Sequence, residues 1–176
     1  PEKGHHEQGR DASDAERAAH ESEDQTIAKC LMDLESDDVA ARRRAVLVLG
    51  KYAASKAQQA VVTCLEDPDA FVRRSALVAL SEQRSIPAQA RRPIVNLLRD
   101  PNVHIRRIAS SLLPEILMNS RFGGTAFPPR SRSAADPTLE AELRKLLNAA
   151  LGDEDLVVRK NVLALYRYSA DLFSEE

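Results

Sequence analysis

An eight-residue motif recurs along the chain at a nearly constant interval. Its three best copies are DPDAFVRR at residues 67–74, DPNVHIRR at residues 100–107 and DEDLVVRK at residues 153–160, and a weaker copy lies at residues 36–43. Counted on the first basic residue of each copy, the steps are 31, 33 and 53 residues, so the last step is one period plus an insertion. A repeat of this period indicates a solenoid of stacked units, in which each unit buries its apolar face only against its neighbours.

Apolar residues have helical spacing on both sides of the turn in each copy. Around the copy at residues 100–107, Ile94 and Leu98 precede the turn, and Ile105 and Ala109 follow it. No segment alternates with period two, so the pattern disfavours strands. The Asp-Pro pair ends the first helix and a residue such as Asn102 can cap the second, so each unit is predicted to be a pair of helices. The predicted buried residues of the second helices are Val72, Ala76, Leu77 and Leu80; Ile105, Ala109, Leu112 and Leu113; and Val158, Val162, Leu163 and Leu165.

The helix pairs, the Asp-Pro-Asp turn and the Val-Arg that ends six residues after the first Asp resemble HEAT repeats, especially the short HEAT-like repeats of phycobilisome lyases and bacterial scaffold proteins. The resemblance covers residues 25–117 and 138–170. The period is shorter than the ~40 residues usual for HEAT arrays, and Ser36 stands in the first copy where the family has Asp. The sequence patterns of tetratricopeptide and ankyrin repeats are absent. The resemblance implies an all-α, right-handed α-solenoid of four stacked antiparallel helix pairs within residues 25–176.

The two basic residues that end each copy point in different directions, because successive residues of a helix are separated by about 100°. The first basic residue, as at Arg42, lies beside the buried face. In a resembling HEAT array this Arg bonds a turn carboxylate and stacks along the solenoid, so we predict that Arg106→Ala would leave Asp100 unpaired and cost stability. The predicted structural ladder consists of Asp67, Arg73, Asp100, Arg106, Asp153 and Arg159.

The second basic residues are predicted to form a stripe on the concave surface, which the second helices usually line in HEAT-like arrays. A groove with regularly spaced charges and smooth patches between them suits an acidic peptide or acidic helix of another protein. The alternative is a solvated helix face that keeps the array soluble. The predicted stripe consists of Arg43, Arg74, Arg107, Lys160 and Arg167, with Val78, Ser111 and Ala164 between the charges.

The charge balance disfavours a general affinity for nucleic acid. The chain has 25 basic and 27 acidic residues, and residues 1–26 hold eight acidic and three basic ones, which leaves 22 basic and 19 acidic in the rest. A body of charge +3 without interleaved aromatic residues is a weak match for a phosphate backbone, although a nucleic-acid-binding array stays an alternative. Residues 1–24 are predicted to be a polar, partly helical acidic leader, and we consider that it could fold over the basic stripe as an internal competitor.

The sequence contains no recognisable catalytic motif. Neither cysteine has an evident His partner, and the His-Glu pairs through which deoxyhypusine hydroxylase binds iron occur here only at His6-Glu7 and His20-Glu21, in the leader. We therefore expect no enzyme activity, no metal and no cofactor. A bilin-lyase-like enzyme or chaperone remains an alternative, because the resembling lyases have a similar repeat length.

Gly123-Gly124 and Pro128-Pro129 mark residues 118–137 as an inserted loop, which should end the preceding helix at Leu117.

No run approaches the ~18 apolar residues of a membrane helix, and the two cysteines favour a reducing compartment such as the cytoplasm. The apolar last unit suggests a piece of a longer solenoid or a larger complex. The sequence as a whole predicts a non-catalytic scaffold or adaptor for protein–protein interaction.

Overall fold

The computed structural model describes residues 7–83, 85–122 and 137–168, and these residues form helices and turns without any strand. Two of the α-helices, those that end at Thr63 and at Asn96, each continue into a short 3-10 turn, at Cys64–Glu66 and Leu97–Arg99. The α-helices are α1 (Glu7–Leu34), α2 (Val39–Leu49), α3 (Ser55–Thr63), α4 (Ala70–Ser81), α5 (Ala88–Asn96), α6 (Val103–Phe122), α7 (Pro137–Leu151) and α8 (Leu156–Tyr168).

The described helices form four successive pairs that stack in chain order. The second helices α2, α4, α6 and α8 pack against one another in sequence, and they do so more extensively than the first helices α1, α3, α5 and α7. One apolar core runs through all four pairs, from Ile27 to Leu165. The predicted all-α solenoid is therefore confirmed.

The turn before each second helix is stabilised by side chains that accept backbone hydrogen bonds. Asp69 caps α4 by accepting from the amides of Phe71 at 2.8 Å and Val72 at 3.3 Å. Asn102 caps α6 in the same way, by accepting from the amide of His104 at 2.9 Å. The predicted caps are confirmed, and they satisfy amides that have no partner within the helix.

Gly50, at the end of α2, is the site of a close approach between two second helices. A Cβ at this position would lie 2.6 Å from the Cβ of Ala79 on α4. That distance is far below van der Waals contact, so Gly50 lets α2 and α4 pack closely.

One predicted core residue is exposed. Val158, Val162 and Leu165 of α8 are buried as predicted, whereas Leu163 is 56% exposed. In the earlier second helices the same register is occupied by Val46 and by Leu77, both fully buried. Those positions face the following helix pair, and the described residues place no helix pair against α8 on that side.

One helix end differs from the sequence prediction. Helix α6 continues to Phe122 instead of ending at Leu117, because the first glycine of the insertion is Gly123 and residues 118–122 include no helix breaker. Residues 123–136 lie outside the described part.

Helix α1 runs without interruption from residue 7 through the acidic segment into the first unit, so residues 7–24 could fold over the stripe only if that helix broke. No helix in the described ranges is long and apolar enough to cross a membrane.

Candidate functional site

The first basic residue of α4 connects two neighbouring units. Arg73 donates from Nε to Asp100 Oδ2 at 2.8 Å and from Nη2 to Asp100 Oδ1 at 3.1 Å. Its Nη1 donates to the backbone carbonyls of Asp67 at 2.8 Å and Pro68 at 2.9 Å. The side chains of Arg73 and Asp100 are only 12% and 3% exposed. A planar guanidinium fits this arrangement because one edge reaches the carboxylate while Nη1 reaches the turn.

The same contacts repeat one unit earlier and one unit later. Arg42 donates to Asp67, with its Nε 2.9 Å from Oδ2, and Arg106 donates to Asp153, with its Nε 2.8 Å from Oδ2. Arg106 also donates to Glu154 Oε1 at 2.9 Å. The hydrogen bonds to these carboxylates raise the pKa of Arg42 and Arg106.

The direction of these pairs corrects one expectation from the sequence. Each Arg pairs with the turn carboxylate of the following unit and reaches only backbone carbonyls in its own turn. Asp100 is paired with Arg73, so removal of Arg106 would leave Asp153 without its partner and would not unpair Asp100. The reason is the stacking offset, which brings the next turn alongside the start of the preceding second helix.

Arg159 has only half of this contact pattern. Its Nη1 donates to the carbonyls of Asp153 at 2.6 Å and Glu154 at 2.9 Å, as in the earlier units. Within the described residues, no carboxylate accepts from its Nε or Nη2, and the carboxylate of Asp153 is taken by Arg106. The predicted ladder residues therefore form Arg–Asp pairs as far as Asp153. Arg159, the last Arg of the ladder, has no carboxylate partner among the described residues.

The second basic residues lie about 100° further around the same helices, on a side that faces solvent. Arg43 and Arg74 are exposed, and so is Lys160. The guanidinium carbon of Arg43 lies 6.0 Å from the centroid of the Phe71 ring, a distance at which a cation is attracted to an aromatic face. Phe71 is itself 60% exposed, so the pair is open to solvent.

Arg107 differs from the other members of the predicted stripe because a carboxylate holds it. Its Nε and Nη2 donate to the two carboxylate oxygens of Asp155 at 3.0 Å and 2.6 Å. The side chain of Asp155 is 10% exposed, and the hydrogen bond from Arg107 holds its pKa well below the ordinary range. The residue in the same register after Arg74 is Asn102, a neutral amide. The charge of Arg107 is thus already paired within the chain.

The side chains that the sequence predicts between the charges differ in exposure. Val78 is half-buried, and Ser111 and Ala164 are exposed. Sequence reasoning missed Leu47, which has the same register on α2 and is 40% exposed, and it missed the exposed Phe71. The signal for Leu47 was its position four residues after Arg43. The side chain of Arg167 lies outside the described residues.

The described residues offer no metal centre and no activated thiol. No group of three or more His, Cys, Asp or Glu residues in the described ranges is placed to hold a metal ion. Both Cys30 and Cys64 are buried and unpaired, and burial raises the pKa of the Cys64 thiol to about 11. Such a thiol stays protonated at neutral pH and is a poor nucleophile.

Comparison with known families gives one result that agrees with this geometry. A family model described as HEAT repeats matches residues 26–113, which is half of the chain and includes the pairs Arg42–Asp67 and Arg73–Asp100. No individual curated protein matches the chain. HEAT repeats generally mediate protein–protein interaction and are generally non-catalytic. The chain belongs to the HEAT-repeat family.

Proposed function

We propose that this chain is a non-catalytic scaffold or adaptor that binds an acidic segment of another protein along its second helices. The observation that carries the proposal is the exposure of Arg43, Arg74 and Lys160 in one register. No carboxylate among the described residues pairs with these three side chains, so their charges are available to a partner. The neighbouring ladder row is, by contrast, nearly buried.

The most favourable part of the surface is the half formed by α2 and α4. Here Arg43 lies over the ring of exposed Phe71. Leu47 and Val78 lie one turn after Arg43 and Arg74 on the same helices. Arginine and aromatic side chains are enriched where protein interfaces gain most of their binding energy. Arg107, paired with Asp155, contributes less free charge. We therefore infer that the partner segment combines acidic residues with apolar ones and lies across α2 and α4.

The packing of the two helix layers supports a concave binding surface. The second helices contact one another more extensively than the first helices do. In a curved stack, the layer with the closer spacing lies on the inner, shorter arc. An extended groove on that side would expose the second basic residues to a bound segment.

The proposal is tested with a synthetic amphipathic peptide that carries Glu on one face and Leu on the other. Its binding to the chain is measured by fluorescence anisotropy at low and physiological salt. We expect the double variant Arg43→Glu/Arg74→Glu to bind at least about tenfold more weakly than the parent, because like charges would face the peptide.

The matched control reverses two exposed cations of the first-helix layer, Lys56→Glu/Arg99→Glu, and changes the net charge equally. Binding to this control should stay within about twofold of the parent. An equal loss in both variants would show a general charge effect and would contradict a localised surface. Duplex DNA is added as a competitor, and displacement of the peptide by duplex would favour a nucleic-acid partner instead.

A further inference from the structure

The surface where α2 meets α4 carries an exposed aromatic ring next to two basic side chains. Phe71, in the first turn of α4, is 60% exposed, and the guanidinium carbon of Arg43 lies 6.0 Å from the centroid of its ring. Arg74 is exposed and follows Phe71 by three residues, so the two Cβ atoms lie about 5–6 Å apart on one side of α4. These three residues are called the Arg–Phe–Arg cluster below.

The combination of ring and free charges occurs once in the described part of the array. The register of Phe71 is held in the other three units by Ala40, His104 and Val157. Arg107, in the register of Arg74, is already paired with Asp155. A partner that recognises both the ring and the unpaired charges therefore contacts α2 and α4.

The spacing of the two helices limits the conformation of that partner. Packed helices lie about 8–10 Å apart, and the close approach of Gly50 to Ala79 places α2 and α4 near the lower end of that range. In a polyproline II helix, residues three positions apart leave the same side about 9 Å apart. In a β-strand, same-side residues are about 6.7 or 13 Å apart, which fits less well. In an α-helix, residues seven positions apart are about 10.5 Å apart.

The small size of the cluster favours the polyproline II conformation over the α-helix. A helix that reached both arginines would be short, and isolated helices below about 12–15 residues are marginal in water. Polyproline II is already a major conformer of unfolded chains, so a short segment loses less entropy when it binds in this form. An exposed aromatic ring is also the type of surface on which segments in this conformation dock.

We propose, resting on the proposed function, that the Arg–Phe–Arg cluster binds an acidic segment in the polyproline II conformation, with two acidic residues three positions apart and a proline between them. The two carboxylates pair with Arg43 and Arg74. The two intervening residues point to opposite flanks, because successive residues of this conformation are separated by about 120°. The proline packs on Phe71, and the other residue is apolar and contacts Leu47 and Val78, one turn further along the same helices.

The test measures the binding of labelled peptides to the full chain by fluorescence anisotropy. One peptide contains Glu-Pro-Leu-Glu between glycines, and a permuted peptide contains Glu-Glu-Pro-Leu, with the same composition and charge. We expect the spaced peptide to bind at least about tenfold more tightly than the permuted one, because only the spaced carboxylates meet both arginines.

Phe71→Ala should weaken binding of the spaced peptide by about tenfold, because it removes the aromatic contact. His104→Ala is the matched control, since it truncates an exposed ring in the same register of the next unit, and binding should stay within about twofold of the parent. Circular dichroism melting verifies that both variants remain folded. Equal losses in the two variants would overturn the assignment to Phe71.

The outcomes separate this inference from the proposed function. Binding of the amphipathic Glu/Leu peptide, with no preference for the spaced over the permuted peptide, would overturn the polyproline II assignment and leave the proposed function in place. Absence of binding by all three peptides at millimolar concentration would overturn both. Tighter binding of a short oligothymidylate, lost in Phe71→Ala, would show that the ring stacks on nucleic-acid bases and would also overturn the inference.

Discussion

Arg73 and Arg74 are neighbours in sequence and on one helix, yet their surroundings are opposite. Arg73 is 12% exposed and is held by four hydrogen bonds, two of them to the carboxylate of Asp100. Arg74 is exposed and has no described carboxylate partner. About 100° of rotation around α4 separates the two roles. The comparison teaches that a basic repeat motif can supply both a structural contact and a free charge, and that the azimuth on the helix decides between them.

Arg107 shows that azimuth alone is not sufficient. It has the register of Arg74 but is paired with Asp155 of the following turn. An Asp in the following turn is not sufficient either, because Arg43 has the same register and is followed by Asp69, yet no ion pair joins these two described residues.

The largest expected effects come from removing the Arg of a nearly buried pair, as in Arg106→Ala, which breaks the series in its interior. It leaves the Asp153 side chain, 9% exposed in the parent, without its bidentate partner. Loss of one member of a buried ion pair costs about 3–5 kcal/mol, so the free energy of unfolding in urea should fall by about that amount.

Arg159→Ala is the matched control for this variant. It removes the same hydrogen bonds to backbone carbonyls but breaks no pair with a described carboxylate. A loss of only about 1 kcal/mol is expected from neutral hydrogen bonds of this kind. Equal losses in Arg106→Ala and Arg159→Ala would show that the carboxylates contribute little.

A smaller effect is expected from Gly50→Ala, which tests the close packing of α2 against α4, two of the second helices that carry the ladder and the stripe. The new Cβ would lie 2.6 Å from Ala79 Cβ, so α2 and α4 must separate. Overpacking of this kind costs about 1–3 kcal/mol, measured as a lower melting temperature and a lower free energy of unfolding. The double variant Gly50→Ala/Ala79→Gly should regain part of the loss, and no regain would place the strain elsewhere.

The smallest effect sharpens the difference between Arg74 and Arg107. In the folded chain, the pKa of Asp155 is held below its ordinary value of about 4 by Arg107. The ionised pair therefore stabilises the fold above pH 4, and this stabilisation is lost as the pH falls below 4. Asp155→Asn keeps the helix cap but loses the charge.

Urea unfolding at pH 7 and at several values below pH 4 measures this effect. The difference between the parent and Asp155→Asn should be largest at neutral pH and should shrink as the solution becomes acidic. A difference that is independent of pH would contradict an ionised Arg107–Asp155 pair as its source.

Much of the fold follows from the sequence because the repeat carries it. The Asp-Pro turn, the caps at Asp69 and Asn102 and the helical spacing are local patterns, and each has a local physical cause. The residues of the buried row could be selected for the same reason, since their azimuth is fixed by their own helix.

The features that sequence reasoning missed depend on how units stack. Which Asp pairs with which Arg is set by the offset between units, so Arg106 was assigned to Asp100 instead of Asp153. Leu163 was expected to be buried because its register is buried elsewhere, but burial there requires a following unit. The pairing of Arg107 with Asp155 likewise crosses from one unit to the next.

The most direct test of the central claim is a comparison of Arg73→Ala with Arg74→Ala by urea unfolding at pH 7. Arg73→Ala should lower the free energy of unfolding by about 3–5 kcal/mol, because it strands the nearly buried Asp100. Arg74→Ala should change it by less than about 0.5 kcal/mol, as expected for an exposed side chain. Equal losses in the two variants, or a larger loss in Arg74→Ala, would contradict the division of the basic residues into a structural ladder and an exposed stripe that is available to a partner.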